Sequence, residues 1–254
     1  QGANFPVGTT LVTWKVQDAS GNTATCVFSV KVTDVEKPTF IGCPTDTIVV
    51  GNDVDKCSAK VNWPIPFAED NCGILNILQT GGPANGSTIN VSPFPVTVTY
   101  RATDINGNSQ ICSFKVLVMD TQNPEFDADI LMPGNTTAEC NNIPAPFVLT
   151  NDDVHDNCTA PQNLVITFTE TSTQCSGQGL CCFYTYVITR TWKVTDAFGN
   201  MLVHTQIINV KDTTKPVAQC KNVTVVLDKS GVAFITPAQV NNGSPDNCAS
   251  AQYL

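Results

Sequence analysis

The fold is decided by the stretch Val96-Thr-Val-Thr-Tyr-Arg-Ala-Thr-Asp-Ile-Asn-Gly-Asn108, in which apolar and polar residues alternate. Val96, Val98, Tyr100 and Ala102 fall on one side of an extended chain, which is the period-two pattern of a half-buried β-strand. The Asn-Gly pair at 106–107 favours a tight turn. Apolar residues return at every second position from 112 to 118, and this predicts the second strand of an antiparallel hairpin.

The same stretch occurs twice more in the chain, as Leu11-Val-Thr-Trp-Lys-Val-Gln-Asp-Ala-Ser-Gly-Asn22 and as Ile188-Thr-Arg-Thr-Trp-Lys-Val-Thr-Asp-Ala-Phe-Gly-Asn200. A second marker, Asp-Asn-Cys, begins at 70, 156 and 246. Markers that recur together at one period indicate tandem repeats. With Asp-x-x-x-Pro as the junction, we predict the C-terminal part of a repeat (1–37), a complete repeat (38–123), a complete repeat with a cysteine-containing insert (124–215), and the N-terminal part of the next (216–254). We therefore expect the chain to belong to a longer polypeptide or polymer.

Each complete repeat has turn signals every 8 to 12 residues and room for roughly seven short strands, which is typical of an immunoglobulin-like β-sandwich. The predicted fold class is all-β, with tandem, disulfide-stapled domains of this type. At the front of the repeat, strands at 47–50 and 58–63 are expected to pair with each other. Trp14, Tyr100 and Trp192 occupy equivalent positions and are predicted to be core aromatics.

Composition narrows the classes of partner. Charged residues make up 14% of the chain, and the formal net charge is -9. An acidic protein lacks the basic surface that nucleic acids and anionic membranes require. No apolar run reaches the ~20 residues that span a bilayer. We expect an extracellular or cell-surface location, with divalent cations as the favoured ionic partner.

The twelve cysteines show no paired ligand spacing typical of zinc, so they are predicted to form disulfides in an oxidising compartment. Repeat 124–215 has His204 where Cys26 and Cys112 stand, and it also lacks a counterpart of Cys43. Two cysteines lost together are expected to be partners, which pairs Cys43 with Cys112. By the same logic Cys57 would pair with Cys72, and their counterparts Cys140 with Cys158. In the insert, Cys175 would close onto Cys181 or Cys182, and Cys26, Cys220 and Cys248 would find partners beyond these residues.

The combined motifs are Asp-x-x-x-Pro, Cys43-Pro44, Cys57-x-Ala, Asp-Asn-Cys, Thr-Asp-x-x-Gly-Asn and the following Cys112. This pattern resembles the hyalin repeat (HYR) family. The style of the varied repeats also resembles the very large repetitive surface adhesins of gliding Bacteroidetes-type bacteria. The resemblance implies an immunoglobulin-like fold and extracellular adhesion, and it implies no catalytic activity.

Acidic residues are predicted to meet where one repeat joins the next, because the B–C and F–G loops share the end of the sandwich that faces the linker. Hard oxygen ligands gathered in this way suit calcium, which would act structurally at the junctions. The alternative is that these side chains only form turns. The candidates at the first junction are Asp34, Glu36, Glu69, Asp70 and Asp104, with Asn106 or Asn108. Those at the second are Asp120, Asp152, Asp153, Asp156, Asp196 and Asn200.

No catalytic motif is recognisable. His155 and His204 have no counterparts in the other repeats, and no nucleophile elbow, phosphate loop or zinc-protease motif occurs. We predict a non-enzymatic, structural or adhesive segment of a long extracellular protein or filament. Its expected partners are neighbouring repeats, surface glycans or other cells, and not nucleic acid. The alternative is a non-catalytic substrate-binding or spacer region of a secreted enzyme acting on polysaccharide.

Overall fold

A computed structural model describes residues 2–176 and 181–248 of the chain. The protein is all-β, and it divides into two compact units, residues 1–121 and 122–254. The four-segment division by repeats is finer than this and stays a prediction. None of the helices in the described ranges has the length and apolar character needed to cross a membrane.

The described residues of the first unit, 2–121, form ten strands. They are β1 (Gly8–Gln17), β2 (Thr23–Val32), β3 (Thr39–Ile41), β4 (Ile48–Gly51), β5 (Ser58–Lys60), β6 (Phe67–Glu69), β7 (Ile74–Gly81), β8 (Thr88–Asn90), β9 (Val96–Asp104) and β10 (Ser109–Met119). The four-stranded sheet has the order β4-β10-β9-β7, while β3 pairs with β6 and β5 pairs with β8. The predicted hairpin is confirmed as β9 and β10.

The expectation that strands 47–50 and 58–63 pair with each other is wrong. β4 instead runs parallel to β10, with Ile48 opposite Val116. β5 runs antiparallel to β8, with Ala59 opposite Ile89. Residues 52–57 therefore carry the chain between separate sheets, as in a sandwich.

The core of this unit lies between these sheets. Val98 and Ala102 are fully buried, and Tyr100 and Phe114 stack with their ring centroids 6.3 Å apart. Trp63 donates a hydrogen bond from Nε1 to the Tyr100 hydroxyl at 3.1 Å, so both polar tips are satisfied inside the core. Tyr100 is the core aromatic that the sequence predicts.

The β1–β2 hairpin has the strand register of β9–β10 without a covering sheet. Trp14 lies opposite Cys26, as Tyr100 lies opposite Cys112. Yet Trp14 is 59% exposed and Phe28 is 46% exposed. In this structure Trp14 is therefore not a buried core aromatic, because the strands that would cover it are not in this unit.

The second unit contains β11 (Glu125–Phe126), β12 (Thr136–Ala138), β13 (Val154–His155), β14 (Val165–Ser172), β15 (Tyr186–Thr195) and β16 (Met201–Val210). Short helical turns occur at Asn151–Asp153, Pro161–Asn163, Cys181–Tyr184 and Pro237–Val240. The main sheet has the order β12-β16-β15-β14, and β11 pairs with β13. This repeats the arrangement of the first unit, including a parallel edge strand, β12, beside the last long strand.

The inward side of β15 and β16 is less apolar than its counterpart in the first unit. Trp192 is 1% exposed and donates from Nε1 to the carbonyl of Phe147, which confirms it as a core aromatic. The neighbouring inward pair is Arg190 and Gln206, both buried. Arg190 is held by an ion pair from Nε to Glu170 Oε2 at 2.6 Å, because a buried guanidinium needs a charged partner.

Beyond β16, the described residues of the segment 216–248 form no extended strand. Cys220 makes an isolated bridge to Asn241, and the only regular element is the short helix at 237–240. Large apolar side chains in this segment lie in solvent, among them Val226 at 89% and Phe234 at 82% exposure. The segment therefore buries little apolar surface of its own.

Candidate functional site at the repeat junctions

Each Asp-x-x-Gly-Asn loop closes around its aspartate in the same way. Asp104 Oδ1 accepts hydrogen bonds from the backbone amides of Asn106 and Asn108 at 2.9 and 2.8 Å, and Asp104 Oδ2 accepts from Asn108 Nδ2 at 2.8 Å. Asp18 and Asp196 make the same set of bonds within their own loops. The glycine of each loop has φ between 90° and 94°, a backbone conformation that glycine adopts at little cost.

These contacts make the three loop aspartates turn-forming groups. Burial acts to raise the pKa of Asp104, but hydrogen bonds from Asn108, Asn106 and Gly107 outweigh it and hold the pKa below the ordinary value. The pKa of Asp18 is lowered as well, first by the side chain of Asn22. Both oxygens of Asp104 are already used locally, which favours the turn-forming alternative for Asp104, Asn108, Asp196 and Asn200.

The F–G loops are the Asp-x-x-Gly-Asn loops, at 104–108 between β9 and β10 and at 196–200 between β15 and β16. The linker aspartate Asp34 is hydrogen-bonded to the first of them. Asp34 Oδ2 accepts from Asn106 Nδ2 at 2.9 Å, and the Asp34 carbonyl accepts from Asn108 Nδ2 at 3.3 Å. Nearby, Glu36 Oε2 accepts from Asn71 Nδ2 at 2.6 Å. The linker is thus tied to both the F–G loop and the Asp-Asn-Cys loop.

The Asp-Asn-Cys loop adds Asp70 to this site. Asp70 Oδ1 accepts from the Cys72 amide at 2.8 Å, which shapes the loop. Asp70 Oδ2 is buried and has no hydrogen-bond partner among the described residues. A buried carboxylate oxygen without a donor calls for a cation or a water molecule.

One ligand atom from each of Asp34, Asp70 and Cys72 lies within 4.8 Å of the others. The two carboxylates are hard oxygen ligands that fit calcium, whereas the soft thiol does not. Burial first, then the hydrogen bond to Asp34 and the negative charges of Asp34, Asp70 and Asp104, raise the pKa of the Cys72 thiol. Cys72 is therefore held as a neutral thiol beside the carboxylates, a role that the sequence analysis missed because it assigned Cys72 to a disulfide.

Among the other predicted ligands, Glu69, Asp152 and Asp153 lie outside this cluster. Glu69 is an exposed residue at the end of β6, opposite Thr39. Asp153 Oδ2 accepts from the Thr150 amide and hydroxyl, and it therefore closes a helical turn. Asp152 is exposed on that turn, and Asp120 is buried at the end of β10.

In the second unit, Asp156 and Asp196 offer carboxylate oxygens within 4.8 Å of each other. Asp156 Oδ1 accepts from the amides of Cys158 and Thr159, as Asp70 does from Cys72. Asp156 Oδ2, like Asp70 Oδ2, is buried without a partner among the described residues. The Thr159 hydroxyl accepts from the Ala197 amide at 3.1 Å, which joins the Asp-Asn-Cys loop to the F–G loop.

A third cluster, at the junction before 216, contains Glu139, Asp212 and Cys248. Glu139 accepts hydrogen bonds from the Thr213 amide and hydroxyl, and these bonds lower its pKa. The sequence analysis did not single out Glu139. Its position directly before Cys140 is the sequence signal that could have identified it as a candidate.

Residues 1–32 and 33–118 match the HYR domain family. Residues 1–118 are therefore of the hyalin-repeat type. Hyalin of Strongylocentrotus purpuratus is 31% identical over 230 residues, covering 86% of this chain and 18% of that protein. Hyalin of Lytechinus variegatus is 29% identical over 246 residues, covering 95% of this chain and 44% of that protein. The chain thus spans less than half the length of either relative.

More distant similarities also occur. The Sushi, von Willebrand factor type A, EGF and pentraxin domain-containing protein 1 of Rattus norvegicus is 31% identical over 115 residues, which is 45% of this chain and 3% of that protein. The solved protocadherin GammaB4 extracellular domain aligns with 89% of this chain and 41% of its own, at 15% identity and a TM-score of 0.30. A structural likeness at this level supports no conclusion about this chain. The resemblance to bacterial gliding adhesins stays a prediction.

The disulfides of the described residues agree in one case with the prediction that cysteines lost together are partners, and they contradict the predicted pairing in others. Cys43 is bonded to Cys112, as predicted, with a Cα–Cα distance of 5.9 Å. The predicted bond between Cys57 and Cys72 is not formed, because Cys72 is a free thiol while Cys57 is disulfide-bonded. In the insert, the bond from Cys175 goes to Cys182, and the side chain of Cys181 lies outside the described part.

The prediction of a bond between Cys140 and Cys158 is also wrong. Cys140 is bonded to Cys248, 108 residues further along the chain. Cys158 is disulfide-bonded as well, and it therefore belongs to a different disulfide from Cys140. Cys248 was expected to find its partner beyond these residues, and it does not. The bond from Cys140 therefore closes a loop that contains the residues from 212 to 216, the predicted linker between two repeats.

Proposed function

We propose that this extracellular, adhesion-type repeat region is a structural and adhesive segment of a longer cell-surface protein or filament, in which each junction between repeats is locked. The observation that carries the proposal is the Cys140–Cys248 bond, which, on the predicted division into repeats, joins two successive repeats covalently. A covalent link across a linker transmits tension and limits bending. Such properties serve a scaffold better than they serve a catalyst.

Calcium is the proposed structural ion at these junctions. Asp34 belongs to the linker and Asp70 to the following repeat, so an ion held by both would dock the linker on that repeat. The buried and unpartnered Oδ2 of Asp70 supports this assignment. Glu36 lies beside the cluster and is proposed as a peripheral ligand. Binding to the docked state stabilises it by mass action.

Calorimetric titration of the whole chain with calcium tests this part of the proposal. We expect heat of binding that Asp70→Asn abolishes and that Asp129→Asn, an exposed aspartate outside the cluster, leaves unchanged. Because Asp70→Asn keeps an acceptor for the Cys72 amide, the loop is expected to stay folded. Absence of calcium heat in the unaltered chain would leave these aspartates as turn formers.

The proposed partners are neighbouring repeats, surface glycans and other cells. Microspheres coated with the chain test adhesion directly, and we expect them to aggregate or to attach to cells in calcium and to disperse with chelator. The alternative function is a substrate-binding or spacer region of a secreted polysaccharide-acting enzyme. Saturable binding to soluble polysaccharide, without any attachment of the coated microspheres, would favour that alternative.

A further inference from the structure

Six Asn-x-Ser/Thr motifs occur in the chain, and this is the acceptor motif for N-linked glycosylation of secreted proteins. Four of them lie between residues 38 and 215, at Asn85, Asn90, Asn135 and Asn157. The motif alone does not separate these four. A glycan is bulky, is attached through the side-chain Nδ2 and needs room in solvent. The surroundings of each asparagine amide therefore decide which of them can carry a glycan in the folded protein.

Two of the four amides are part of the folded loops. Asn85 Oδ1 accepts a hydrogen bond from the Trp63 amide at 3.0 Å, and Asn85 Nδ2 donates to the Trp63 carbonyl at 2.8 Å. Asn157 Nδ2 donates to Cys158 Sγ at 3.3 Å. Both asparagines are half-buried. A glycan on either Nδ2 would have to displace these contacts, so the fold disfavours glycosylation at both positions.

The amides of Asn90 and Asn135 are accessible instead. Asn90 is exposed at the end of β8, and its side chain makes no hydrogen bond within the described part of the chain. Asn135 is exposed directly before β12, and its Oδ1 accepts from the Ile207 amide at 2.7 Å. This bond uses the oxygen and leaves Nδ2, the attachment atom, without an acceptor among the described residues. Asn135 can therefore carry a glycan and keep its hydrogen bond.

Both accessible positions lie at the edges of sheets. In the described sheets, β8 has β5 as its only partner, and β12 is the outermost strand in the order β12-β16-β15-β14. An edge strand presents unpaired backbone groups that can pair with a strand of another molecule. Such pairing is a hazard for a chain made of β-repeats. A bulky hydrophilic group at the edge hinders the approach of a second strand.

We propose that Asn90 and Asn135 carry N-linked glycans that shield the edges formed by β8 and β12, and that Asn85 and Asn157 carry none. In the transfer, Nδ2 attacks the anomeric carbon of an oligosaccharide held on a lipid diphosphate. The C–N bond forms and the C–O bond to the diphosphate breaks. The diphosphate leaves with the bonding electrons, and the amide loses one proton. The proposal rests on passage through a secretory pathway, and it is independent of calcium and of the adhesive role.

Variants that remove the hydroxyl residue of a motif leave the contacts of its asparagine in place. Ser92→Ala and Thr137→Ala should each lower the mass of the secreted chain by one glycan. Asn90→Gln, which breaks no side-chain hydrogen bond within the described residues, is a second variant for the first site. Ser87→Ala is the matched control, because it removes the motif of Asn85 and its hydroxyl has no hydrogen-bond partner among the described residues. It should leave the mass of the glycans unchanged.

Light scattering at rising protein concentration tests the shielding of the edges. The double variant Ser92→Ala with Thr137→Ala should self-associate at lower concentration than the unaltered glycoprotein, while circular dichroism shows the strands intact. Ser87→Ala should behave as the unaltered chain. Equal association of the double variant and the unaltered glycoprotein would overturn the proposed role of the glycans at β8 and β12.

Site-resolved mass spectrometry of glycopeptides tests the assignment itself, on the whole chain secreted from a eukaryotic cell line. We expect a glycan on Asn90 and on Asn135, and unmodified peptides containing Asn85 and Asn157. An unmodified Asn90 or Asn135 would overturn the proposal. A glycan on Asn85 or Asn157 in the folded, secreted protein would overturn it as well, because the contacts of these amides would then not decide the sites.

Discussion

His204 lies across the β15–β16 strand pair from Trp192, with ring centroids 5.9 Å apart. This is the position that Cys112 occupies opposite Tyr100. Instead of a disulfide to the edge segment, His204 makes a 2.9 Å hydrogen bond from Nε2 to the Pro133 carbonyl. The two repeats therefore attach the segment before their parallel edge strand by different chemistry, one covalent and one polar.

Removing the covalent attachment should cost stability in the first unit. The double variant Cys43→Ala with Cys112→Ala opens a loop of 69 residues, and we expect a loss of about 2–4 kcal/mol. Amide exchange in β9 and β10 of the whole chain measures the free energy of unfolding locally. Cys72→Ala, which removes a free thiol, is the control and should change it by less than about 0.5 kcal/mol. Equal effects of the two changes would contradict this assignment.

Equivalent phenylalanines in the two hairpins should differ sharply in their contribution to stability. Phe114→Ala removes a ring that is 4% exposed and should cost about 3–5 kcal/mol. Phe28→Ala removes a ring that is 46% exposed, and in dilute, reduced protein it should cost below about 1 kcal/mol. Denaturant unfolding monitored by exchange of each hairpin's amides provides both values. A large loss at Phe28 under these conditions would mean that the hairpin is already covered.

The ion pair between Arg190 and Glu170 should matter more than a surface pair. Arg190 is buried, and its Nη1 has no hydrogen-bond partner among the described residues. Glu170→Gln leaves this charge poorly compensated and should cost about 1–3 kcal/mol. The double variant Arg190→Val with Gln206→Phe copies the Val98–Phe114 pair, and it should be neutral or stabilising. A neutral Glu170→Gln would show that solvent already neutralises Arg190.

Several of these features could be predicted from the sequence, and several could not. The alternation in 96–103 and the Asp-x-x-Gly-Asn turns fix the hairpins, because both are local signals. The Cys43–Cys112 bond is predictable because both positions change together in the next repeat. The partner of Cys140 could not be predicted, because the spacing of cysteines within a repeat does not indicate whether a cysteine faces its own loops or the following repeat. The buried Arg190 could not be predicted either. It lies on the apolar side of an alternating strand, where the pattern of neighbouring residues predicts a small hydrophobic side chain.

Acid should destabilise the protein through its loop carboxylates. Hydrogen bonds hold the pKa values of Asp18, Asp104, Glu139, Asp153 and Asp228 below the ordinary values of 3.8 for aspartate and 4.5 for glutamate. The folded state therefore binds fewer protons than the unfolded state at acid pH, and stability is full above these ordinary values. It should fall as the pH drops below about 4. Unfolding midpoints measured from pH 7 to 2.5 check this, and a flat profile would contradict it.

The stiffness of the repeat string is the most direct test of the proposed junction lock. Small-angle scattering is measured on the whole chain in calcium and in chelator, and on the Asp70→Asn variant under the same two conditions. We expect a longer, narrower distance distribution with calcium, and a broader one with chelator while circular dichroism shows the strands intact. Asp70→Asn should resemble the chelated chain in both conditions. Identical scattering in all three samples would contradict a calcium-locked junction and leave the proposed locking to covalent bonds such as that from Cys140 to Cys248.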